Sequence, residues 1–400
     1  MLDLLYSLLI IFNIALPKAG SFISGLPITA GYCLLLLTLI GQGLFFWARK
    51  PLYCWPLAAL ALFNGVFIIT FAHLNGIVSL APFISYLLGF ALLPAGMIIF
   101  LNPSSKLRLT FIGILPHCIR FISIFGICSF FNLMVSGEYL NIPFLTSTGN
   151  DPTPLEGKNN MRTAEWGKLI STYANGNIFG VCGLILLPLY DILEKRIFLR
   201  YIFRLSIVLT FSRTAWVVLF AYDLLSPRIS LKFKAVALLL TTSVLAYIIN
   251  YTGFNIGFIF DATLGGRASS FDWALYDLIP TKEFDYISEI LLLSSVYAHG
   301  YFGGMLTLFL LLAAPILLLK QGNTSLIANQ CGIGLLLYFL ASFSDGAAIF
   351  IPVMLIYWLV YWIGMTDVHE KVGLAAQRGI SKNPSRREPL RASPIPALGQ

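Results

Sequence analysis

Apolar runs about as long as a bilayer is thick follow one another along almost the whole chain, and no other feature limits the fold so strongly. Spanning the hydrocarbon as a helix takes roughly 20 apolar residues. About twelve such runs can be read, at approximately 3–17, 27–47, 54–73, 82–101, 111–134, 172–193, 197–212, 214–226, 234–252, 286–319, 325–343 and 347–364. Of 400 residues, 58% are hydrophobic and only 11% charged; a soluble domain carries about 25% charged residues. So little polar surface cannot coat so large a core in water. The expectation is an all-α, polytopic membrane helix bundle occupying residues 1–364, with a basic, disordered tail over 365–400.

Two of these runs need comment. The first lacks a basic start and a small-residue cleavage site, so it reads as a span and not a signal peptide. The 286–319 run is too long for one crossing and is divided, with an interfacial or re-entrant first half and a crossing that starts near Gly300.

Lysine and arginine in short loops set the orientation. Arg49, Lys50, Lys106, Arg108, Lys195, Arg196, Arg200, Arg228, Lys232, Lys234 and Lys320 fall on one face, together with the basic tail. That face is expected to be cytoplasmic, with both termini on it. The net charge of +8 then reflects topology and anionic lipid, not a nucleic-acid surface. Two long connections, about 135–171 and 253–285, fall on the opposite, outer face. Loops of that length are functional or disordered.

Charged and amide side chains on this outer face are the candidates for chemistry. Arg213 lies at the junction of two short runs in LTFSRTAWVVLF. Its planar fork of donors suits phosphate oxygens and stays charged at any working pH; alternatively its stem snorkels to the headgroups. Asn175 and Asn177 stand where the first long loop enters a span. Arg267 follows a glycine pair in the second long loop, and Glu289 lies in an apolar setting where a carboxylate is costly unless paired or used. Arg120 lies within a span, and two readings stay open: contact with a substrate, or an interhelical ion pair. The six cysteines and four histidines show no metal-ligand spacing, so no cofactor is expected.

Taken in order, Asn175-Gly-Asn-Ile-Phe-Gly180, Ser212-Arg-Thr-Ala-Trp216, Gly266-Arg267 and Gly300-Tyr-Phe-Gly303 resemble the O-antigen ligase and O-antigen polymerase superfamily over roughly residues 130–320. The resemblance implies a GT-C-like glycosyltransferase of the bacterial inner membrane, acting on glycans carried by undecaprenyl diphosphate at the periplasmic face. Ligases of that superfamily carry a His-Asn pair where this chain has Ser288-Glu289, which favours the polymerase branch. The expected reaction joins a lipid-linked glycan to the sugar hydroxyl of another lipid-linked repeat, without metal. Arg213, Arg267 and Glu289 are the expected catalytic residues. Asn175, Asn177, Ser212, Arg162, Lys168, Arg120 and Trp273 are the expected substrate contacts. A chain-length regulator of the membrane is the partner the resemblance implies. Transfer of finished glycan to a lipid or protein acceptor, and a flippase or transporter for lipid-linked oligosaccharide, are the alternative readings.

Overall fold

The computed structural model describes residues 2–23, 26–45, 55–100, 105–151, 153, 155–156, 160–161, 167–225, 283, 290–321, 325–350 and 352–381. It is 78% helical. Helix is what an apolar solvent demands, because each backbone polar group must find its partner within its own segment.

Six described helical segments are long and apolar enough to cross a membrane. They are α3 (Trp55–Asn75), the continuous run Leu80–Phe100, α6 (Ser105–Ser136), α7 (Gly176–Leu193), α10 (Leu291–Gln321) and α11 (Leu326–Asp345). The run Leu80–Phe100 joins α4 (Leu80–Leu87) to α5 (Leu93–Phe100) through one π turn at Leu88–Leu92. The other described α-helices are α1 (Leu2–Ile10), α2 (Ala30–Phe45), α8 (Ile197–Val208), α9 (Arg213–Leu225) and α12 (Val353–Ser381). Their outward faces stay apolar, with Leu37, Phe63, Val66, Phe131, Val217 and Phe309 each more than half exposed. Contiguous exposed apolar surface of this kind belongs against lipid. The chain is a multi-pass, all-α membrane protein.

At the centre stands α12. Every residue from Val353 to Val368 is buried, as befits a helix apolar on all sides. It packs against α7, α11, α6 and α5. One of its polar tips reaches neighbouring backbone: the Trp358 indole N–H donates to the Gly89 carbonyl at 2.7 Å, inside the π turn. Near the other end, Asp367 is fully buried and takes Arg108 of α6 and the hydroxyl of Ser325, which caps α11.

The sequence placed a break near Gly300, and α10 bends there. Gly300 has φ 74° and ψ 180°, a conformation essentially restricted to glycine. Past the bend the two arms close tightly: a Cβ at Gly303 would stand 2.4 Å from the His299 Cβ. His299 is fully buried below this bend, with the rings of Phe67, Phe71 and Tyr86 around it.

Among the described residues, one hairpin departs from helix. Gly20–Ile23 (β1) and Leu26–Thr29 (β2) pair as an antiparallel hairpin, with Phe22 opposite Pro27. The apolar run expected to span from 27 therefore spends its first three residues in a strand, and helix begins at Ala30. Pro17 and Pro27 account for this, since each lacks the N–H that a helix interior requires.

Candidate functional site

α6 ends at Ser136 and α7 begins at Gly176, so the first long loop joins these two ends and sits over one side of the bundle. Asn175 takes extended backbone angles, and its side-chain oxygen accepts the Asn177 N–H at 2.7 Å. This is a helix N-cap, a role that suits asparagine because its short side chain reaches an otherwise orphaned amide. Asn177 is 7% exposed, and its Oδ1 has no hydrogen-bond partner among the described residues.

The turn between α8 and α9 reaches the same end of α7. Leu169, in the long loop, donates its N–H to the Leu209 carbonyl at 2.9 Å. A Cβ built on Gly180 would meet Ala215 Cβ at 3.1 Å, Thr210 Oγ1 at 3.4 Å and Ser212 Cβ at 3.8 Å. The turn itself is closed by its own polar groups. Thr210 Oγ1 donates to the Ile207 carbonyl at 2.6 Å and accepts the Ser212 N–H at 3.2 Å. Ser212 Oγ accepts the Ala215 N–H at 3.4 Å, and the Trp216 indole donates to the Val208 carbonyl at 2.7 Å. In the quintet Ser212-Arg-Thr-Ala-Trp216, serine and tryptophan thus build the turn and arginine is the residue it presents.

Arg213 is the first residue of α9 and is half-buried. A helix N-terminus carries partial positive charge and disfavours a cation by a few tenths of a kcal/mol or more. Helix N-termini are themselves suited to phosphate. Thr214 ties this end of α9 to α11 through a 2.9 Å bond between its hydroxyl and that of Ser344.

Lys168 is fully buried, with its stem lying along Gly176: a Cβ there would be 2.9 Å from Lys168 Cβ and 3.2 Å from Cδ. Its main-chain N–H donates to the Asn160 carbonyl at 2.8 Å, and the Tyr139 hydroxyl lies 3.1 Å from its own carbonyl. Burial pushes the Tyr139 hydroxyl well above its ordinary pKa, despite that bond. Asn160 is the residue here that sequence reading missed. Its Nδ2 donates to the Leu155 carbonyl at 2.8 Å and the Ala174 carbonyl at 3.0 Å, and it carries an Oδ1 without a partner among the described residues. Thr172 Oγ1 is in the same condition. Three such atoms, on Asn160, Thr172 and Asn177, belong to the segment leading into α7 and to its first turn, although buried polar atoms ordinarily find partners. The only signal in the sequence was the polar run containing Lys158-Asn-Asn160.

The structure thus brings Asn175, Asn177, Lys168, Ser212 and the start of α9 at Arg213 to one end of α7. Arg120 is elsewhere. Its Nε donates to Glu194 Oε2 at 2.6 Å, and Glu194 caps the opposite end of α7, about 28 Å along the axis from Asn175. Of the two readings left open for Arg120, the ion pair is what the structure displays. Arg162, Arg267, Trp273 and Glu289 lie outside the described residues.

At the Glu194 end, sequence reading also missed a charged network. Arg204 of α8 donates to both oxygens of Asp191 at 2.8 and 2.7 Å and to Asp223 Oδ1 at 3.0 Å. The Tyr222 hydroxyl joins Asp191 Oδ2 at 3.0 Å. This network pins α7, α8 and α9 together.

Compared with family models, with curated proteins and with solved structures, the chain finds no match.

Proposed function

We propose that the protein is a polysaccharide polymerase, a metal-independent membrane glycosyltransferase that uses glycans on undecaprenyl diphosphate. The observation that carries this reading is the Arg213 turn set beside the N-terminus of α7, at the end of the bundle bearing the first long loop. A cation at the start of α9 and an asparagine-capped helix start are chemistry suited to a diphosphate. The order of motifs along the chain adds the resemblance to the O-antigen polymerase and ligase superfamily. In this reading the bundle has about twelve spans and a GT-C-like arrangement. Both termini face the cytoplasm, and the Arg213 end faces the periplasm.

The reaction breaks the bond between the anomeric carbon and the carrier's phosphate oxygen. A bond forms from that carbon to a hydroxyl oxygen of a second lipid-linked repeat. Arg213, with Arg267 from the second long loop, stabilises the charge that gathers on the departing diphosphate. Glu289 takes the proton of the attacking hydroxyl. Both substrates are tethered in one membrane plane, so the bilayer supplies proximity.

The test is the glycan profile of a deletion strain complemented with wild type or with Arg213→Ala. Single lipid-linked repeats should accumulate in the deletion, and Arg213→Ala should fail to restore long chains at normal membrane abundance. A normal chain-length distribution with Arg213→Ala would remove the diphosphate role. Unligated long chains would mean a ligase, and repeats trapped on the cytoplasmic leaflet a flippase.

A further inference from the structure

Hairpin β1–β2 joins α1 to α2 and is strapped to the first long loop. The Gly149 N–H donates to the Gly20 carbonyl at 2.9 Å, the Phe22 N–H donates to the Gly149 carbonyl at 2.8 Å, and the Lys18 ammonium donates to the Thr146 carbonyl. Side chains alternate across a strand, so Phe22 and the buried Thr29 share one face of the hairpin, and Ser21, Ile23 and Ile28 share the other. Phe144 adjoins that second face: a Cβ built on Gly149 would stand 2.7 Å from Ser21 Oγ and 3.5 Å from Phe144 Cε1. Ile23, Phe144 and Ile28 are 56%, 55% and 44% exposed. Hairpin and loop thus turn one apolar face outward at the end of the bundle that carries the first long loop.

We propose that this face lies in the bilayer at the level where acyl chains meet headgroups, with the lipid of that leaflet as its partner. Continuity with surfaces that face lipid carries the assignment. On α2 the exposed Cys33, Leu36, Leu37 and Ile40 recur at helical spacing and begin about one turn from β2. On α6 the exposed Phe121, Ile124, Cys128, Phe131 and Val135 do the same up to its last turn, where the loop starts. The face prolongs that belt, as exposed apolar patches at membrane contacts do. The loop turns polar directly after Phe144, at Ser147, Thr148, Asn150 and Asp151, which sets the face at the boundary and not deeper. The backbone suits this level too. Because the Phe22 N–H points away from β2, the matching position on the open edge of β2 points outward, and there Pro27 stands. Proline has no N–H to leave unpaired, and an unpaired N–H is costly away from water. In the loop, Thr146 Oγ1 accepts the Ile142 N–H at 2.7 Å and the Ser147 carbonyl accepts the Phe144 N–H at 2.8 Å. The assignment goes beyond the polymerase reading and stands without it.

The experiment uses the full chain in phosphatidylcholine nanodiscs. A spin label is attached at Ile28→Cys, Phe144→Cys, Leu36→Cys or Thr153→Cys, with the six native cysteines replaced by alanine. Collision with oxygen, which concentrates in lipid, is compared with collision with a water-soluble nickel chelate. Leu36 serves as the lipid reference and Thr153, exposed in the loop, as the water reference. Labels at 28 and 144 are expected to favour oxygen as the label at 36 does, while the label at 153 favours nickel. Nickel contact at 28 and 144 equal to that at 153 would put the face in water. Exclusion of both reagents there would mean that protein covers it, and either result overturns the assignment. The wild-type chain gives a second reading that needs no variant to fold. A phosphatidylcholine with a diazirine high on its acyl chain should leave adducts on β1, β2 and residues 142–149. Adducts on α2 and α6 with none on those segments would overturn the assignment as well.

Discussion

The Leu169 N–H donates to the Leu209 carbonyl at 2.9 Å, joining the first long loop to the turn between α8 and α9. Arg213 begins α9 four residues later, so its position depends on the loop as well as on its own helix. Perturbing the loop should therefore be felt at the turn, and the turn's own caps can be tested directly.

Ser212 caps α9 through a bond to the Ala215 N–H. Ser212→Ala should cost about 1 kcal/mol in unfolding free energy, measured by thermal denaturation in detergent, whereas Ser212→Asn should retain most of it. Equal loss in both variants would mean that packing, not capping, fixes the serine.

Arg204 neutralises Asp191 and Asp223 in a setting where it is only 14% exposed. Arg204→Met leaves two carboxylates facing each other and should destabilise by about 3–5 kcal/mol. Adding Asp191→Asn should return part of that loss. Additive damage in the double variant would show that the charges act independently.

Glu194 gives a pH dependence. Burial pushes its carboxyl up, but the Arg120 hydrogen bond, the Arg196 N–H and the Tyr190 hydroxyl outweigh burial, so it titrates below the ordinary carboxylate range. A carboxyl lowered by folding adds stability above its unfolded value, and that stability is lost as pH falls through the folded one. The melting temperature of the wild type should drop between about pH 5 and pH 3, and Glu194→Gln should flatten that slope. An identical slope in the variant would assign the effect to other carboxylates.

Gly300→Ala should destabilise by about 1–3 kcal/mol, because alanine cannot hold φ 74° with ψ 180° without strain. Trypsin cleavage of the variant in membranes should quicken relative to wild type. Unchanged stability would mean the bend relaxes freely.

What the sequence made legible were features that act through local spacing. Apolar runs gave the long helices, Gly300 marked the bend, and the junction of two short runs at Arg213 marked the turn. What stayed hidden depends on partners far apart in the chain. Lys18 meets Thr146 across 128 residues, and no local pattern announces a loop strapped to a hairpin. Asp191, Arg204 and Asp223 each look like a stray charge in an apolar helix until folding superposes them. Arg120 was open between two readings because a span says where a charge lies in depth, not which neighbour it faces. Asn160 looked like one polar residue among many.

The burial of α12 from Val353 to Val368 has a consequence for assembly. Those residues are translated after every helix that encloses them, so the earlier helices must enter the bilayer around a gap. A chain stopped before Val353 would insert as membrane helices yet remain hollow, with lipid or water standing in for Trp358 and Trp362. Closure of the described core thus waits for the segment Val353–Val368.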